Sequence, residues 1–196
     1  MKLNRLEELL MDNALRAWFQ GSFEAPRIFQ GLELPPGARC LEIGCGRGVG
    51  ARLILRHFQP ERVLATDLDP EMIARARAYL AQDGRADGRI SLMVADASHL
   101  PFTDGSFEAC FDFGALHHIP AWRRAVAEVA RVLKPGGVFA GEELFLHPPF
   151  TRFFPGTTIP GAGELLRAFE AAGLELARHQ GLGPGFSIFQ ARKALL

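Results

Sequence analysis

The run Leu41-Glu42-Ile43-Gly44-Cys45-Gly46-Arg47-Gly48-Val49-Gly50 passes from apolar residues to alternating glycines, and a second apolar stretch follows at residues 51–55. This order predicts a buried strand, a tight loop and a helix. Because glycine has no Cβ atom, a ligand can approach the main chain of such a loop closely. Backbone N–H groups at the start of the helix would point at the same spot. The stretch therefore predicts a ligand-binding loop where the first strand ends.

Two kinds of cofactor are bound by a glycine-rich loop between a strand and a helix. A dinucleotide-binding loop has the pattern Gly-x-Gly-x-x-Gly directly after the strand. Counted from Gly44, the third glycine position holds Val49; counted from Gly46 it holds Ala51, which fits only if the loop begins two residues late. The pattern that fits without adjustment is acidic-x-Gly-x-Gly-x-Gly, Glu42 to Gly48. It resembles the first motif of the class I S-adenosylmethionine-dependent methyltransferases.

Composition and charge exclude several classes of protein. The 196 residues suit one domain, and 22 basic against 22 acidic residues leave no net charge, so the positive surface of a nucleic-acid-binding protein is missing. No apolar run reaches the length of a membrane span and no signal-peptide core is present, so we expect a cytoplasmic protein without stable membrane insertion. Cys40, Cys45 and Cys110 form no Cys-x-x-Cys pair, which predicts neither a disulfide framework nor a metal site.

Strands and helices alternate in the next part of the chain. Three strands are predicted, at residues 38–43, 62–66 and 90–95. Such alternation is the signature of right-handed crossover units on a parallel sheet. Asp67 and Asp96 directly follow the second and third strands, at the edge where open α/β sheets bind ligands. A carboxylate such as Asp67 can accept hydrogen bonds from both hydroxyls of a ribose. Capping of the next helix is the alternative role, but Asp69 before Pro70 suits it better.

The segment Val94-Ala95-Asp96-Ala97-Ser98-His99-Leu100-Pro101-Phe102-Thr103-Asp104-Gly105-Ser106-Phe107-Glu108 provides a second resemblance. It is similar to the segment that methyltransferases of the ubiquinone and menaquinone biosynthesis type carry after their third strand. In that family the Asp accepts a hydrogen bond from the adenine amino group, and the next backbone N–H meets the ring. The resemblance implies these roles for Asp96 and Ala97. A Lys-Pro-Gly-Gly turn at residues 134–137, before the predicted fifth strand, is a third motif of the family.

The fourth predicted strand, residues 107–113, ends beside the glycine loop. Its alternation puts Phe107 on the same face as Phe111 and Phe113. Asp112 lies on the other face, where a buried carboxylate is costly unless it is paired. We therefore expect Asp112 to face the site.

Three histidines are candidates for chemistry. His117 and His118 resemble the Leu-His-His run of the same methyltransferases. Neighbouring histidines are expected to point in different directions, so they predict no metal pair, and helix capping and packing stay as open as a catalytic role. His147 lies in an aromatic, proline-rich segment after the fifth strand and is a candidate base only because it can ionise.

The two ends of the chain are expected to cover the sheet. Helical spacing over residues 1–29 predicts a helix that packs on the domain, with Arg16 on its opposite, polar face; a cap over a small acceptor is the functional interpretation. The segment after the fifth strand resembles an insertion that helps to form the acceptor pocket. A helix at residues 164–172 and strands at 174–179 and 186–192 resemble the family's closing helix and hairpin.

The expected fold is α/β, a Rossmann-like, doubly wound and mostly parallel seven-stranded sheet with a C-terminal antiparallel hairpin. We interpret residues 1–196 as one methyltransferase domain. Its parts are a helical cap at residues 1–37, a cofactor-binding core at 38–143, a lid or acceptor-pocket insertion at 144–163, and a closing helix and hairpin at 164–196.

The resemblance implies S-adenosylmethionine as the cofactor and no metal. Methyl transfer from a sulfonium is a direct in-line displacement, so no protein nucleophile is required, and a base is needed only if the acceptor must lose a proton. The candidates for that base are His117, His118 and Asp112. The residues expected to bind the cofactor are Glu42, Gly44, Cys45, Gly46, Gly48, Asp67, Leu68, Asp96, Ala97, Asp112 and Phe113.

The acceptor and two alternative functions stay open. Many enzymes that methylate amino groups of bases and proteins carry an Asn-Pro-Pro-Tyr type of run after the fourth strand, where this chain has Asp112-Phe113-Gly114-Ala115. A small, partly apolar acceptor is therefore favoured over nucleic acid. The alternatives are an NAD-dependent oxidoreductase, which would also place an acid at Asp67, and a non-catalytic partner subunit with the same fold. The sequence leaves a homodimer open.

Overall fold

The computed structural model describes residues 14–82, 88–145, 161–181 and 185–195. The first part of the predicted cap, His147 and most of the predicted acceptor-pocket insertion lie outside the described residues.

Seven strands form one sheet in the described ranges. They are β1 (Arg39–Ile43), β2 (Arg62–Asp67), β3 (Ile90–Val94), β4 (Phe107–Phe113), β5 (Leu133–Leu144), β6 (Leu174–Gly181) and β7 (Phe186–Lys193). Their order is β3-β2-β1-β4-β5-β7-β6. Neighbours from β3 to β5 are parallel, whereas β7 runs antiparallel to both β5 and β6. The predicted doubly wound sheet with a C-terminal hairpin is confirmed.

The strand order reverses between β1 and β4. The chain builds β1, β2 and β3 outward on one side and then returns to add β4 on the other. In open α/β sheets, ligands bind outside the carboxyl ends of the strands at such a switch point. The glycine loop follows β1 and Asp112 lies near the end of β4, so the sheet brings both to this position.

Helices cover both faces of the sheet. They are α1 (Ala14–Phe19), α2 (Ala25–Phe29), α3 (Val49–Phe58), α4 (Pro70–Ala81), α5 (Trp122–Val132) and α6 (Ala162–Ala171). A short 3-10 helix, Leu116–His118, precedes α5. Trp122 of α5 and Phe169 of α6 pack in an apolar cluster on one face, and Phe29 of α2 and Ile54 of α3 pack in a cluster on the other.

The lead-in segment, residues 14–29, is not the single regular helix that the spacing predicts. A π-helical turn, Gln20–Glu24, joins α1 to α2. Pro26 stands in the first turn of α2. Proline has no N–H group and its ring crowds the carbonyl four residues earlier, which gives a physical reason for the wider turn.

Two details of β4 and β5 differ from the prediction. Phe111 and Phe113 lie in the cluster under α2 and α3, but Phe107 belongs to the cluster on the opposite face. The alternation of faces along β4 is interrupted between Phe107 and Ala109, where the pairing with β5 also shifts its register. The Lys-Pro-Gly-Gly stretch, predicted as a turn before the fifth strand, lies within β5, which begins at Leu133.

Candidate functional site

The glycine loop turns through three residues with left-handed backbone angles. The angle φ is +62° at Gly44, +49° at Gly46 and +81° at Gly48, a region that other residues adopt only at a cost. Space is limited as well, because a Cβ atom on Gly44 would lie 2.1 Å from the Cβ of Ala115. The main chain of the loop therefore lies directly against the segment that follows β4.

Cys45 occupies the middle of the loop with its side chain buried. Its N–H donates to the Thr66 carbonyl at 2.8 Å, which ties the loop to β2. Burial, assisted by the charges of Glu42 and Asp67, raises the pKa of the thiol. Cys45 is therefore a small, uncharged packing residue at neutral pH and not a nucleophile.

Asp67 holds the glycine loop in place. Its Oδ2 accepts the Gly46 N–H at 2.8 Å, and its Oδ1 accepts the Asp69 N–H at 2.9 Å. Burial raises the pKa of Asp67, and these hydrogen bonds oppose the shift. Asp69 caps α4, as predicted, since its Oδ1 accepts the Glu71 N–H at 2.8 Å. The capping and loop-holding roles are thus divided between two aspartates.

Asp96 lies beside Asp67 at the same edge of the sheet. The register pairs Asp67 with Val94, and Asp96 follows two residues later. The Asp96 Oδ1 accepts both the N–H and the hydroxyl of Ser98, each at 2.8 Å, and Oδ2 lies 3.5 Å from Nδ1 of His99. Burial alone would raise the pKa of Asp96, but the Ser98 and His99 contacts outweigh it and lower the pKa. Asp96 is therefore an ionised hydrogen-bond acceptor at neutral pH.

Apolar surface adjoins these two carboxylates. Leu68, directly after Asp67, is 57% exposed, which is high for a leucine next to a strand end. Ala97, directly after Asp96, is buried. The strand ends thus combine anionic acceptors with an apolar side chain that a flat ring can cover.

Glu42 points from β1 towards the start of α3. A Cβ atom on Gly50 would lie 2.0 Å from Glu42 Oε1 and 2.6 Å from the ring of Phe113, so only glycine leaves room for both side chains. Burial, followed by the charge of Asp67, raises the pKa of Glu42 well above its usual range. Its Oε2 is buried and has no hydrogen-bond partner among the described residues. A buried carboxyl oxygen without a hydrogen bond is costly, so a bound ligand with a hydrogen-bond donor would be stabilised there.

Asp112 is fully buried at the end of β4. Its Oδ1 accepts the Ala115 N–H at 2.7 Å, while Oδ2 has no hydrogen-bond partner in the described part of the chain. Burial and the neighbouring Glu143 raise the pKa of Asp112 well above its usual range. The side chain thus shapes the turn after β4 and lies against the carboxyl group of Glu143.

The two neighbouring histidines lie in the 3-10 helix after β4. Their rings are in contact, with centroids 4.0 Å apart, which differs from the expectation that they point in different directions. His117 is buried, and its Nδ1 lies 2.7 Å from Oε2 of Glu143. The other oxygen of Glu143 accepts the Leu116 N–H at 3.0 Å. Glu143 therefore holds both the turn and the imidazole.

Sequence reasoning missed a buried ionic cluster at the end of β5. Arg16 forms an ion pair with Glu24, and its second guanidinium nitrogen lies 3.4 Å from Oε1 of Glu142. Glu24 and Glu142 are only 3% and 2% exposed. The prediction that Arg16 lies on an outward polar face is wrong, because its charge reaches the end of the sheet. The adjacent acids Glu142 and Glu143, near the end of β5, were the available signal.

No group of His, Cys, Asp and Glu in the described ranges could hold a metal ion. Among the helices that the structure describes, none is long and apolar enough to cross a membrane.

Comparisons with known proteins identify methyltransferases as relatives of this chain. Residues 41–141, slightly more than half of the chain, match the family model described as Methyltransferase domain. A sterol 24-C-methyltransferase of Gibberella zeae is 33% identical over 108 residues, covering 55% of this chain and 28% of that protein. The 27-O-demethylrifamycin SV methyltransferase of Amycolatopsis mediterranei is 36% identical over 121 residues, covering 60% of this chain and 42% of that protein. The chain thus spans less than half the length of these relatives.

A solved structure shows the same fold over most of the chain. The S-adenosylmethionine dependent methyltransferase from Mesorhizobium loti matches with a TM-score of 0.74 at 22% identity, covering 88% of this chain and all of that one (100%).

Proposed function

Because the chain belongs to the methyltransferase domain family, we propose that it moves a methyl group from S-adenosylmethionine to a small, partly apolar acceptor. One observation carries the proposal: the three left-handed glycines after β1 lie at the same sheet edge as the carboxylates of Asp67 and Asp96. A bare main chain and two neighbouring anionic acceptors match a ligand with a polar chain, a ribose and an adenine.

The residues of the site fit this cofactor. Gly44, Cys45, Gly46 and Gly48 would lie against its methionine portion, and the unpartnered oxygen of Glu42 would accept a hydrogen bond from the ammonium group there.

The strand ends would hold the nucleoside. Asp67 accepts hydrogen bonds from the Gly46 and Asp69 N–H groups, and its remaining lone pairs would bind the ribose hydroxyls. Leu68 would cover the adenine ring. Asp96 and the N–H of Ala97 would bind the adenine edge. Asp112 and Phe113 would flank the methionyl chain.

When bound, S-adenosylmethionine would supply a methyl group on a sulfonium: the acceptor atom would form a bond to that methyl carbon in line with the C–S bond, which breaks and leaves S-adenosylhomocysteine. The protein contributes alignment and exclusion of water, which is worth roughly 7–11 kcal/mol when reacting atoms are well placed. The close packing of Phe113 and Glu42 around Gly50 supports such a role, because both side chains are buried beside the glycine loop.

A proton acceptor is required only for acceptors that react after deprotonation. His117, His118 and Asp112 stay the candidates, and His117 is favoured because Glu143 fixes its ring through Nδ1. A carboxylate partner of this kind orients an imidazole and stabilises its protonated form.

The helical cap over the acceptor also stays part of the proposal. Arg16 and Glu24 of the lead-in segment reach Glu142 at the end of β5, which supports a position over the acceptor side of the sheet. A cytoplasmic location and the absence of a nucleic-acid partner remain predictions from composition.

Titration calorimetry with S-adenosylmethionine tests the proposal. We expect saturable binding to the wild type, and Asp67→Ala and Asp96→Ala should each weaken it by roughly 10- to 100-fold, since each removes a charged hydrogen-bond acceptor. Asp104→Ala is the matched control, because this aspartate is exposed and pairs with Arg131 away from the strand ends. Unchanged affinity in both site variants would contradict the assignment.

The same titration separates the alternatives. Saturable binding of NAD without binding of S-adenosylmethionine would favour an oxidoreductase. Cofactor binding without any methyl transfer by the isolated chain, together with activity in a stable partner, would favour a non-catalytic subunit.

A further inference from the structure

A groove with polar walls lies between the lead-in segment and the edge strand β6. Its volume is about 670 Å³, which is within the range of small-molecule binding sites. The groove is open to solvent, and six residues from α2 and from the end of β6 line it: Pro26, Arg27, Gln30, Arg178, His179 and Gln180. Pro26 is the one apolar residue among these six, so the groove suits a hydrophilic ligand.

Arg178 is held across the groove by neutral acceptors. Its Nη1 donates to the Arg27 carbonyl at 2.8 Å. Its Nη2 donates to Oε1 of Gln30 at 2.7 Å and to Oε1 of Gln180 at 2.8 Å. These contacts fix the position of the guanidinium group, but none of the three acceptors balances its positive charge.

Arg27 adds a second positive charge to the groove. Its Nη1 donates to the Phe23 carbonyl at 2.9 Å, and its guanidinium carbon lies 3.6 Å from the centroid of the Phe23 ring. Neither Arg27 nor Arg178 forms an ion pair with any carboxylate of residues 14–82, 88–145, 161–181 and 185–195. The residues that directly follow β6 in the chain, Leu182-Gly183-Pro184, carry no charge. Both arginines are half-buried, so an anion that pairs with them would be screened less than on an open surface.

The groove also offers more hydrogen-bond donors than acceptors. The side-chain oxygens of Gln30 and Gln180 already accept from Arg178, which leaves the N–H groups of both amides for a ligand. Arg27 uses only Nη1 for its main-chain contact, and a guanidinium group has further N–H donors. A ligand that satisfies these groups must supply acceptor oxygens together with negative charge.

We propose that this groove binds a phosphate group, carried by a small phosphorylated molecule or present as inorganic phosphate. Guanidinium groups form paired, charge-assisted hydrogen bonds with phosphate oxygens. A phosphate monoester carries about −1.5 to −2 charges at pH 7, which balances both arginines. A single carboxylate carries one negative charge and balances only one of them.

The groove is separate from the proposed cofactor site. β6 is an edge strand, and β7 and β5 lie between it and β4. Three strand spacings of about 4.8 Å place β6 roughly 14 Å from β4, beside which the methionyl chain would lie. The inference therefore goes beyond the proposed function and does not depend on it.

A phosphate in this groove would link two elements of the fold. Arg27 belongs to α2, whereas Arg178 belongs to β6. The side chain of Gln190 on β7 already fixes α2 in this position, because its Nε2 donates to the carbonyls of Ile28 at 2.8 Å and Gln30 at 2.9 Å. The groove is thus formed before a ligand binds, and a ligand that binds only the folded state should stabilise the protein.

Titration calorimetry at constant ionic strength tests the proposal with glycerol 3-phosphate, inorganic phosphate, acetate and glycerol as probes. We expect saturable binding of phosphate with a dissociation constant of about 1 mM or lower, acetate binding at least about tenfold weaker, and no binding of glycerol. Tighter binding of glycerol 3-phosphate than of inorganic phosphate would indicate a phosphorylated molecule as the occupant. Equal affinity would indicate that the phosphate group alone is recognised. Phosphate should also raise the midpoint of thermal unfolding of the wild type.

Arg27→Gln removes one of the two charges, and the hydrogen bond that it loses lies within the lead-in segment. We expect it to weaken phosphate binding by roughly 10- to 100-fold, and Arg178→Gln to do the same. Arg192→Gln is the matched control. Arg192 is an exposed arginine of β7 that also donates to a main-chain carbonyl, that of Gly136, and it does not line the groove. This variant loses the same charge and should keep the phosphate affinity of the wild type.

Three results would overturn the proposal: no saturable phosphate binding by the wild type, acetate bound as tightly as phosphate, or wild-type phosphate affinity in Arg27→Gln. If Arg178→Gln fails to fold because it also loses the contacts between α2 and β6, Arg27→Gln decides the question. S-adenosylhomocysteine affinity should be equal in the wild type and Arg27→Gln. A loss of both affinities in Arg27→Gln would contradict a separate phosphate site, whereas a wild type that binds phosphate but not S-adenosylhomocysteine would contradict only the proposed function.

Discussion

Gly50→Ala tests how closely Glu42 and Phe113 pack around Gly50. Alanine normally stabilises a helix relative to glycine by about 1 kcal/mol, so propensity predicts a gain in α3. The structure predicts a loss, because the added Cβ would lie 2.0 Å from Glu42 Oε1 and 2.6 Å from the Phe113 ring. The ring must move by about 1 Å to restore normal carbon contact.

The expected magnitude follows from these opposing effects. Overpacking of a buried site costs about 3 kcal/mol at the upper end of its usual range, and helix propensity returns about 1 kcal/mol, which leaves a net loss of about 2 kcal/mol. Both displaced side chains belong to the proposed cofactor site, so affinity for S-adenosylhomocysteine should fall by about tenfold as well.

Urea unfolding followed by circular dichroism measures the first effect, and titration calorimetry measures the second. Gly163→Ala is the matched control, because it lies near the start of α6 with its nearest neighbour, a guanidinium nitrogen of Arg167, 3.8 Å from the added atom. That variant should gain about 0.5–1 kcal/mol. A Gly50→Ala protein as stable as the Gly163→Ala protein, with unchanged ligand affinity, would refute the reasoning.

Two further predictions concern carboxyl groups outside the glycine loop. Burial raises the pKa of Glu143 to about 7. Below about pH 4.3, the ordinary pKa of an unfolded glutamate, Glu143 therefore makes its full contribution to the free energy of unfolding. This contribution is lost as the pH rises through the pKa of the folded state. In urea unfolding, the free energy of unfolding of Glu143→Gln should accordingly fall less than that of the wild type between about pH 5 and pH 8. Parallel curves of unfolding free energy against pH for the two proteins would contradict this. Asp69→Ala removes the cap of α4 and should cost about 1 kcal/mol; an unchanged urea midpoint would show that the cap contributes nothing.

The fold and the family were predictable because their signals are local in the chain. Alternating glycines after an apolar run gave the first strand, loop and helix, and the Asp69-Pro70 pair gave the start of α4. The same motifs identified the methyltransferase family, which the match over residues 41–141 confirms. The roles of the individual cofactor residues stay predictions.

The buried ionic cluster was not predictable, because its members are distant in sequence. Arg16 and Glu142 are 126 residues apart, and only the fold brings them together. Regular helical periodicity placed Arg16 on a solvent face, but the π-helical turn Gln20–Glu24 changes which residues of the lead-in segment face the sheet. A wider turn of this kind leaves little trace in the spacing of apolar residues.

The prediction of the face on which Phe107 lies was wrong for a related reason. Strict alternation assumes that β4 keeps one register, whereas its pairing with β5 shifts between Phe107 and Ala109. Such an irregularity arises from the pairing of two strands, and the alternation of apolar residues within β4 does not reveal it.

A crystal structure of the protein with S-adenosylhomocysteine tests the central claim most directly. We predict the ribose hydroxyls on Asp67, the adenine edge on Asp96 and Ala97, and the homocysteine portion along the main chain of Gly44 to Gly48. A ligand bound elsewhere, or a cleft between β1 and β4 that is filled by the protein's own side chains in a crystal grown with saturating ligand, would contradict it.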